Sequence, residues 1–172
     1  MTGTESRSRP DSALSDTRRM SLRWPVPVRD VDATVRVRWA AAAALAAGIA
    51  AAFAFPRVGI WPLAIVSVAG FSWAVDGRRA RTGAWLGLLY GLGFFVPLLH
   101  WTGEYVGAAP WLILASAEAC FMAVLGAVLA TVQRLPGAPA WVACSWVLEE
   151  ALRDRLPFGG FPWGRLAFSQ QD

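Results

Sequence analysis

The feature that most limits what this chain can become is a series of long runs almost free of charge. Five can be read: Trp39 to Phe55, Val58 to Val75, Gly83 to Leu99, Ala108 to Val132, and a weaker one from Ala138 to about Leu152. A helix rises about 1.5 Å per residue and the hydrocarbon core of a bilayer is roughly 30 Å thick, so about 20 apolar residues cross it. The first four runs are credible spans on that measure. A chain of 172 residues would ordinarily make one soluble domain, but 56% of this one is hydrophobic and those residues are clustered. The pattern predicts an all-α, polytopic transmembrane helix bundle of about five spans.

The first run leans on alanine ("WAAAALAAGIAAAFAF") and is tied to the second by "PRVG", which reads as a helical hairpin. A cleaved signal peptide is the rival reading. It would need an unusually long leading region, and further spans follow at once. Residues 1 to about 35 are rich in Ser, Thr, Asp, Arg and Pro without apolar periodicity and are expected to form a disordered, Arg-rich tail; residues 36–172 are expected to form the membrane domain.

All sixteen basic residues are arginine. Eight of them precede the first span, from Arg7 to Arg38, and "DGRRAR" separates the second span from the third. Positive charge on short loops favours the cytoplasmic side, which places the N-terminus inside and Arg57, Arg153, Arg155 and Arg165 outside. Acidic residues dilute the basic tail and no binding motif accompanies it, so no nucleic-acid partner is expected. Nearby anionic lipid is the better partner for it. Cys120 and Cys144 lie within apolar runs, and no cysteine or histidine stands at metal-ligand spacing from them. They are expected to be buried, inert packing residues, and no cofactor or metal is expected.

Several residues stand out along the spans. Gly83, Gly87 and Gly91 are four apart and line one helix face, where small residues let backbones approach closely. Pro97 suggests a kink whose freed carbonyls are covered by neighbours or water. The loop "HWTGEYVGAAPW" holds the chain's one histidine, and His100 and Glu104 at i, i+4 read as an interfacial polar pair or, with less support, an acid/base pair. Glu118 lies about 12 Å along its helix from Pro110. A carboxylate so deep is costly. It is expected either to pair or to be hydrogen-bonded in protonated form, and no cation is apparent at matching depth. In the fifth run Glu149 and Glu150 share a face with Arg153, and either this charged half emerges outside or it lines a polar cavity in the bundle. Pro157, Gly159, Gly160 and Pro162 then break the helix, and Phe161 and Trp163 suit the headgroup level.

A helix bearing "EALR", followed by "GFPWGRLAFSQ", resembles the apolipoprotein N-acyltransferase family. "FAFPRVGIWPLAIVSVAGF" is similar to that family's first hairpin, and "GAWLGLLYGLGFFVPLLHW" to its Gly-rich third span. The resemblance covers about residues 39 to 172. It implies a bacterial inner-membrane enzyme that takes an acyl chain from a phospholipid donor and places it on the α-amino group of a diacylglyceryl-cysteine lipoprotein acceptor. The family's chemistry runs through a cysteine thioester in a nitrilase-like domain, with a glutamate base and a lysine. This chain contains no lysine and neither cysteine falls on that motif, so no catalytic residue is assigned here.

What carries over is Glu150, Arg153, Gly160, Phe161, Pro162, Trp163, Ser169 and Gln170. Glu150, Arg153, Phe161 and Trp163 are the candidates for shaping the mouth where the lipid donor enters, with arginine suited to a phosphate; the alternative is that they simply fold the turn. A departure is "RDRLPFGGFPW", longer before Gly-Phe-Pro-Trp than in some members. The resemblance further implies that the chain is a piece of a longer protein. Two other readings stay open: an anchor for a polyprenol-phosphate glycosyltransferase, and a small transporter with Glu118 and the Glu150/Arg153 face as pathway residues.

Overall fold

The computed structural model describes residues 33–56, 58–156 and 159–170. The expected disordered tail lies almost wholly outside these residues. Every described element is helical: α1 (Ala33–Phe53), α2 (Pro62–Val75), α3 (Ala80–Leu98), α4 (His100–Val106), α5 (Ala108–Val132), α6 (Ala138–Arg153) and a short 3-10 helix, Leu166–Gln170. The all-α expectation holds among them.

Two helices, α1 over Arg36–Phe53 and α5, are each long and apolar enough to cross a bilayer, and α3 with α4 make a third when taken as one broken span. The second run yields a shorter helix than its composition suggested. Residues 58–61 form a turn, with Gly59 at φ +73° and its N–H donating to the Phe55 carbonyl at 2.8 Å. Pro62 then opens α2 at a position where the missing N–H costs nothing. Its 14 residues rise about 21 Å.

The bundle is built on small residues. Ala40, Ala44, Ala47 and Ala51 make one buried stripe along α1. Gly48 of α1 meets α3 so closely that a Cβ would strike the Tyr90 carbonyl. The expected glycine face of α3 is realised against α5. Gly83 faces Gly126, Gly87 faces the Met122 carbonyl and Gly91 faces Ala119. In lipid there is little hydrophobic drive between helices, so such close packing supplies much of their attraction. An aromatic cluster fills the space between α2, α3 and α6: Phe71 stacks on Tyr90 at 4.4 Å between centroids, and Trp146 meets both edge-on. Ser67 bridges three helices here. Its hydroxyl donates to the Ala47 carbonyl at 2.7 Å and lies 2.8 Å from the Tyr90 hydroxyl.

The expected bend lies just beyond Pro97, at Leu99. The axis turns by 56° between α3 and α4, and Trp111 of α5 donates its indole N–H to the Val96 carbonyl at 3.1 Å. The cysteines depart from expectation. Both Cys120 and Cys144 are exposed, on the outer faces of α5 and α6. An apolar run does not by itself mark the inward face, since a helix in lipid can be hydrophobic all round.

Candidate functional site

The site forms where α6 ends. Gly137, at φ +76°, turns the chain out of α5, and Pro139 sits in the first turn of α6. From there helical spacing brings Trp146, Glu149 and Arg153 onto the buried face. The guanidinium of Arg153 is 1% exposed, and the carboxylates of Glu118 and Glu149 beside it belong to residues 3% and 6% exposed.

Each of the three guanidinium nitrogens of Arg153 donates a hydrogen bond to the protein. Nε donates to Glu149 Oε1 at 3.0 Å, one terminal nitrogen to the Trp163 carbonyl at 2.5 Å, and the other to the Gly164 carbonyl at 3.4 Å. The nitrogen that reaches Trp163 also lies 3.6 Å from Glu118 Oε2. The guanidinium carbon stands 5.2 Å from the centre of the Phe95 ring, within reach of a cation–π attraction. Of the two places left open for this charged half, the structure puts Glu149 and Arg153 inside the bundle. The cation missing from the depth of Glu118 comes from the last turn of α6. Spacing within α6 left open which way this charge points, so it did not reveal the contact with Glu118 on another helix.

The segment after α6 folds back over this group. The Phe161 N–H donates to the Arg153 carbonyl at 3.0 Å. Gly160, at φ +82°, lies where a Cβ would strike the Asp154 carbonyl, so the reversal requires glycine. Gly164, at φ +83°, lies against the rings of Phe94 and Phe95. Glu150 Oε1 accepts the N–H of Leu166 at 2.8 Å, which satisfies the first turn of the 3-10 helix. Arg165 pairs with Asp154. Ser169 donates back to the Leu166 carbonyl at 2.7 Å, and Gln170 donates to Ser169 Oγ at 3.1 Å.

The sequence candidates thus fall into two groups. Glu150, Arg153, Phe161, Trp163 and Glu118 converge on one turn, joined by Glu149, which the i, i+4 spacing to Arg153 had already flagged. Phe161 is half-buried against the core, whereas Trp163 is 52% exposed, its ring 5.6 Å from Trp101 of α4. His100 and Glu104 stand apart from the charged group. They pair with each other at 3.7 Å on an exposed face, with the His100 ring edge-on to Trp111. The arrangement is an internal anchor beneath an aromatic ledge: inward carbonyls, a buried guanidinium between two carboxylates, and tryptophan on the surface.

The family model described as the apolipoprotein N-acyltransferase N-terminal domain matches residues 47–172. The apolipoprotein N-acyltransferase of Mycolicibacterium smegmatis is 43% identical over 104 residues, which covers 59% of this chain and 17% of that protein. The enzyme so named from Pseudomonas putida is 32% identical over 143 residues, covering 75% and 28%. That of Allorhizobium ampelinum is 31% identical over 147 residues, covering 73% and 28%. This chain spans well under a third of the length of these relatives.

Proposed function

This chain belongs to the apolipoprotein N-acyltransferase family, and we propose that it is the membrane portion of an enzyme that moves an acyl chain from a phospholipid to the N-terminal diacylglyceryl-cysteine of lipoproteins. The reading places it in the bacterial inner membrane as a multi-pass bundle of five spans, with α4 continuing the third and the N-terminus cytoplasmic. The arginine-rich N-terminal tail and the arginine-rich loop between the second and third spans support that orientation. The acyl-carrying cysteine, its glutamate base and its lysine are assigned to the part of the family's length that this chain does not span.

Within this portion, Glu150, Arg153, Phe161 and Trp163 form the mouth where the lipid donor arrives, each with a different task. The observation that carries this is the direction of the Trp163 and Gly164 carbonyls, both turned inward onto Arg153. With its backbone tied inward, Trp163 presents its ring outward beside Trp101. Such rings favour the headgroup level, where a lipid would first meet the protein. Arg153 sets the position of that ledge from below, because each of its three nitrogens donates to a protein group. Glu150 holds the far side of the same turn through Leu166. Phe161 packs the turn to the core. His100 and Glu104 form a polar pair at the neighbouring rim.

The test uses the full-length protein in proteoliposomes, with transfer from phospholipid to a diacylglyceryl lipopeptide as the readout. Trp163→Ala is expected to raise the apparent KM for phospholipid, and Arg153→Ala to lower turnover further than it lowers protein level. Unchanged kinetics for both at equal protein level would reduce the turn to a folding element and overturn the access reading.

A further inference from the structure

A phospholipid arriving at the mouth brings a phosphate, and arginine suits that group because its planar fork can donate two parallel hydrogen bonds. Arg153, to which the sequence pattern points for that task, is 1% exposed, and each of its three nitrogens donates to a protein group. It holds the turn from within, so the phosphate has to be met by another residue.

A second arginine on the same turn is placed differently. Arg165 follows Trp163 by two residues, so the two Cα atoms are at most about 7 Å apart and Arg165 belongs to the same ledge. Three contacts fix it there. The Gly164 carbonyl before it accepts from Arg153 at 3.4 Å, the Leu166 N–H after it donates to Glu150 at 2.8 Å, and its own guanidinium pairs with Asp154. The Asp154 side chain is 8% exposed, whereas that of Arg165 is 42% exposed. The carboxylate therefore grips the guanidinium from the protein side, and the arginine keeps an open face. A guanidinium carries five donors, and among the described residues Asp154 is its one charged partner.

The local charge also suits an anion. Asp154 and Arg165 offset each other, and Arg155, exposed just past α6 with one N–H on the Ala151 carbonyl at 2.7 Å, adds a positive charge. The nearest rim carboxylate, Glu104, is engaged with His100.

We infer that Arg165 is the residue that takes the phosphate of the acyl-donor lipid, with Asp154 as its positioning residue. This rests on the reading of the turn as the donor mouth. The lipid sets its phosphate oxygens on the open N–H groups of Arg165 while its glycerol region lies against the Trp163 ring. Holding a long, flexible side chain in place beforehand lowers the ordering cost of binding, which is the service Asp154 performs. The contact reads the phosphate itself and not the group esterified to it.

The experiment uses the full-length protein in mixed micelles with a diacylglyceryl lipopeptide as acceptor. It compares two donors of the same acyl chain: phosphatidylglycerol, and a p-nitrophenyl ester that has no phosphate. The readout is the ratio of kcat/KM for the phospholipid to that for the ester. Arg165→Gln is expected to lower this ratio about ten-fold, through KM and not kcat, the scale of one charge-assisted hydrogen bond. Arg165→Lys keeps the charge without the fork and should recover part of the loss. Asp154→Asn, which releases the guanidinium, should lower the ratio by a smaller factor. An unchanged ratio in Arg165→Gln while Trp163→Ala still raises the KM for phospholipid would overturn the phosphate contact and leave the donor mouth standing. An equal loss on both donors would make Arg165 a folding residue and overturn the contact as well. Unchanged phospholipid kinetics in both Arg165→Gln and Trp163→Ala would remove the donor mouth itself, and this inference with it.

Discussion

Arg153 and Glu118 come from different helices and meet at 3.6 Å in the interior of the bundle, where Glu149 already holds the same guanidinium at 3.0 Å. Two carboxylates thus share one cation in a place where an uncompensated charge is costly. Removing the shared partner has the larger effect. Arg153→Met should destabilise the protein by about 3–5 kcal/mol, the usual cost of breaking a buried ion pair from one side. Chemical unfolding in detergent measures this, and a loss below about 1 kcal/mol would show that the pair is dispensable.

The two carboxylates should not be equivalent. Glu149 accepts a hydrogen bond from Arg153 Nε, whereas the Glu118 oxygen facing Arg153 makes none. Glu149→Gln should therefore cost more than Glu118→Gln, by about 1 kcal/mol, and Glu118→Gln should be close to neutral. The reverse order in the same unfolding assay would assign the primary pairing to Glu118.

The glycine face of α3 gives a prediction with an internal control. A Cβ at Gly87 would strike the Met122 carbonyl, whereas one at Gly70 would meet the Ala47 methyl at an ordinary 3.5 Å. Gly87→Ala should cost about 1–3 kcal/mol through forced separation of α3 and α5, and Gly70→Ala should be tolerated. Equal effects on thermal unfolding would mean that the interface yields without penalty.

Ser67 offers a double-mutant cycle. Ser67→Ala removes the hydroxyl that joins Ala47 and Tyr90, and Tyr90→Phe removes the other partner. The coupling between them should be about 0.6 kcal/mol and below 2, as for other interhelical hydrogen bonds in membranes. Strict additivity would show that the two hydroxyls are not linked.

Much of the architecture was legible because membrane spans announce themselves by length. The helices, the glycine seam and the bend just beyond Pro97 all follow from local pattern and backbone chemistry. The extent of α2 was not, since composition does not reveal where a turn such as the one around Gly59 takes four residues from an apolar run. At the site, spacing gave the Glu149–Arg153 pair, and the resemblance picked out Phe161 and Trp163. The meeting with Glu118 was hidden. It depends on α6 carrying its charged end inward against α5, a tertiary choice that neither helix records in its own sequence. The same lack of contact information put Cys120 and Cys144 on the wrong side of their helices.

The glycine seam has a mechanical consequence. Where backbones touch backbones, as Gly83 does Gly126, no side chains lie between them to change rotamer and absorb a displacement. The α3–α5 pair therefore behaves as a stiff frame. Under the proposed donor mouth, displacement of the Trp163 ledge would therefore fall to the turn at Gly160 and Gly164 rather than to α3 and α5, and it would require Arg153 to release the Trp163 and Gly164 carbonyls.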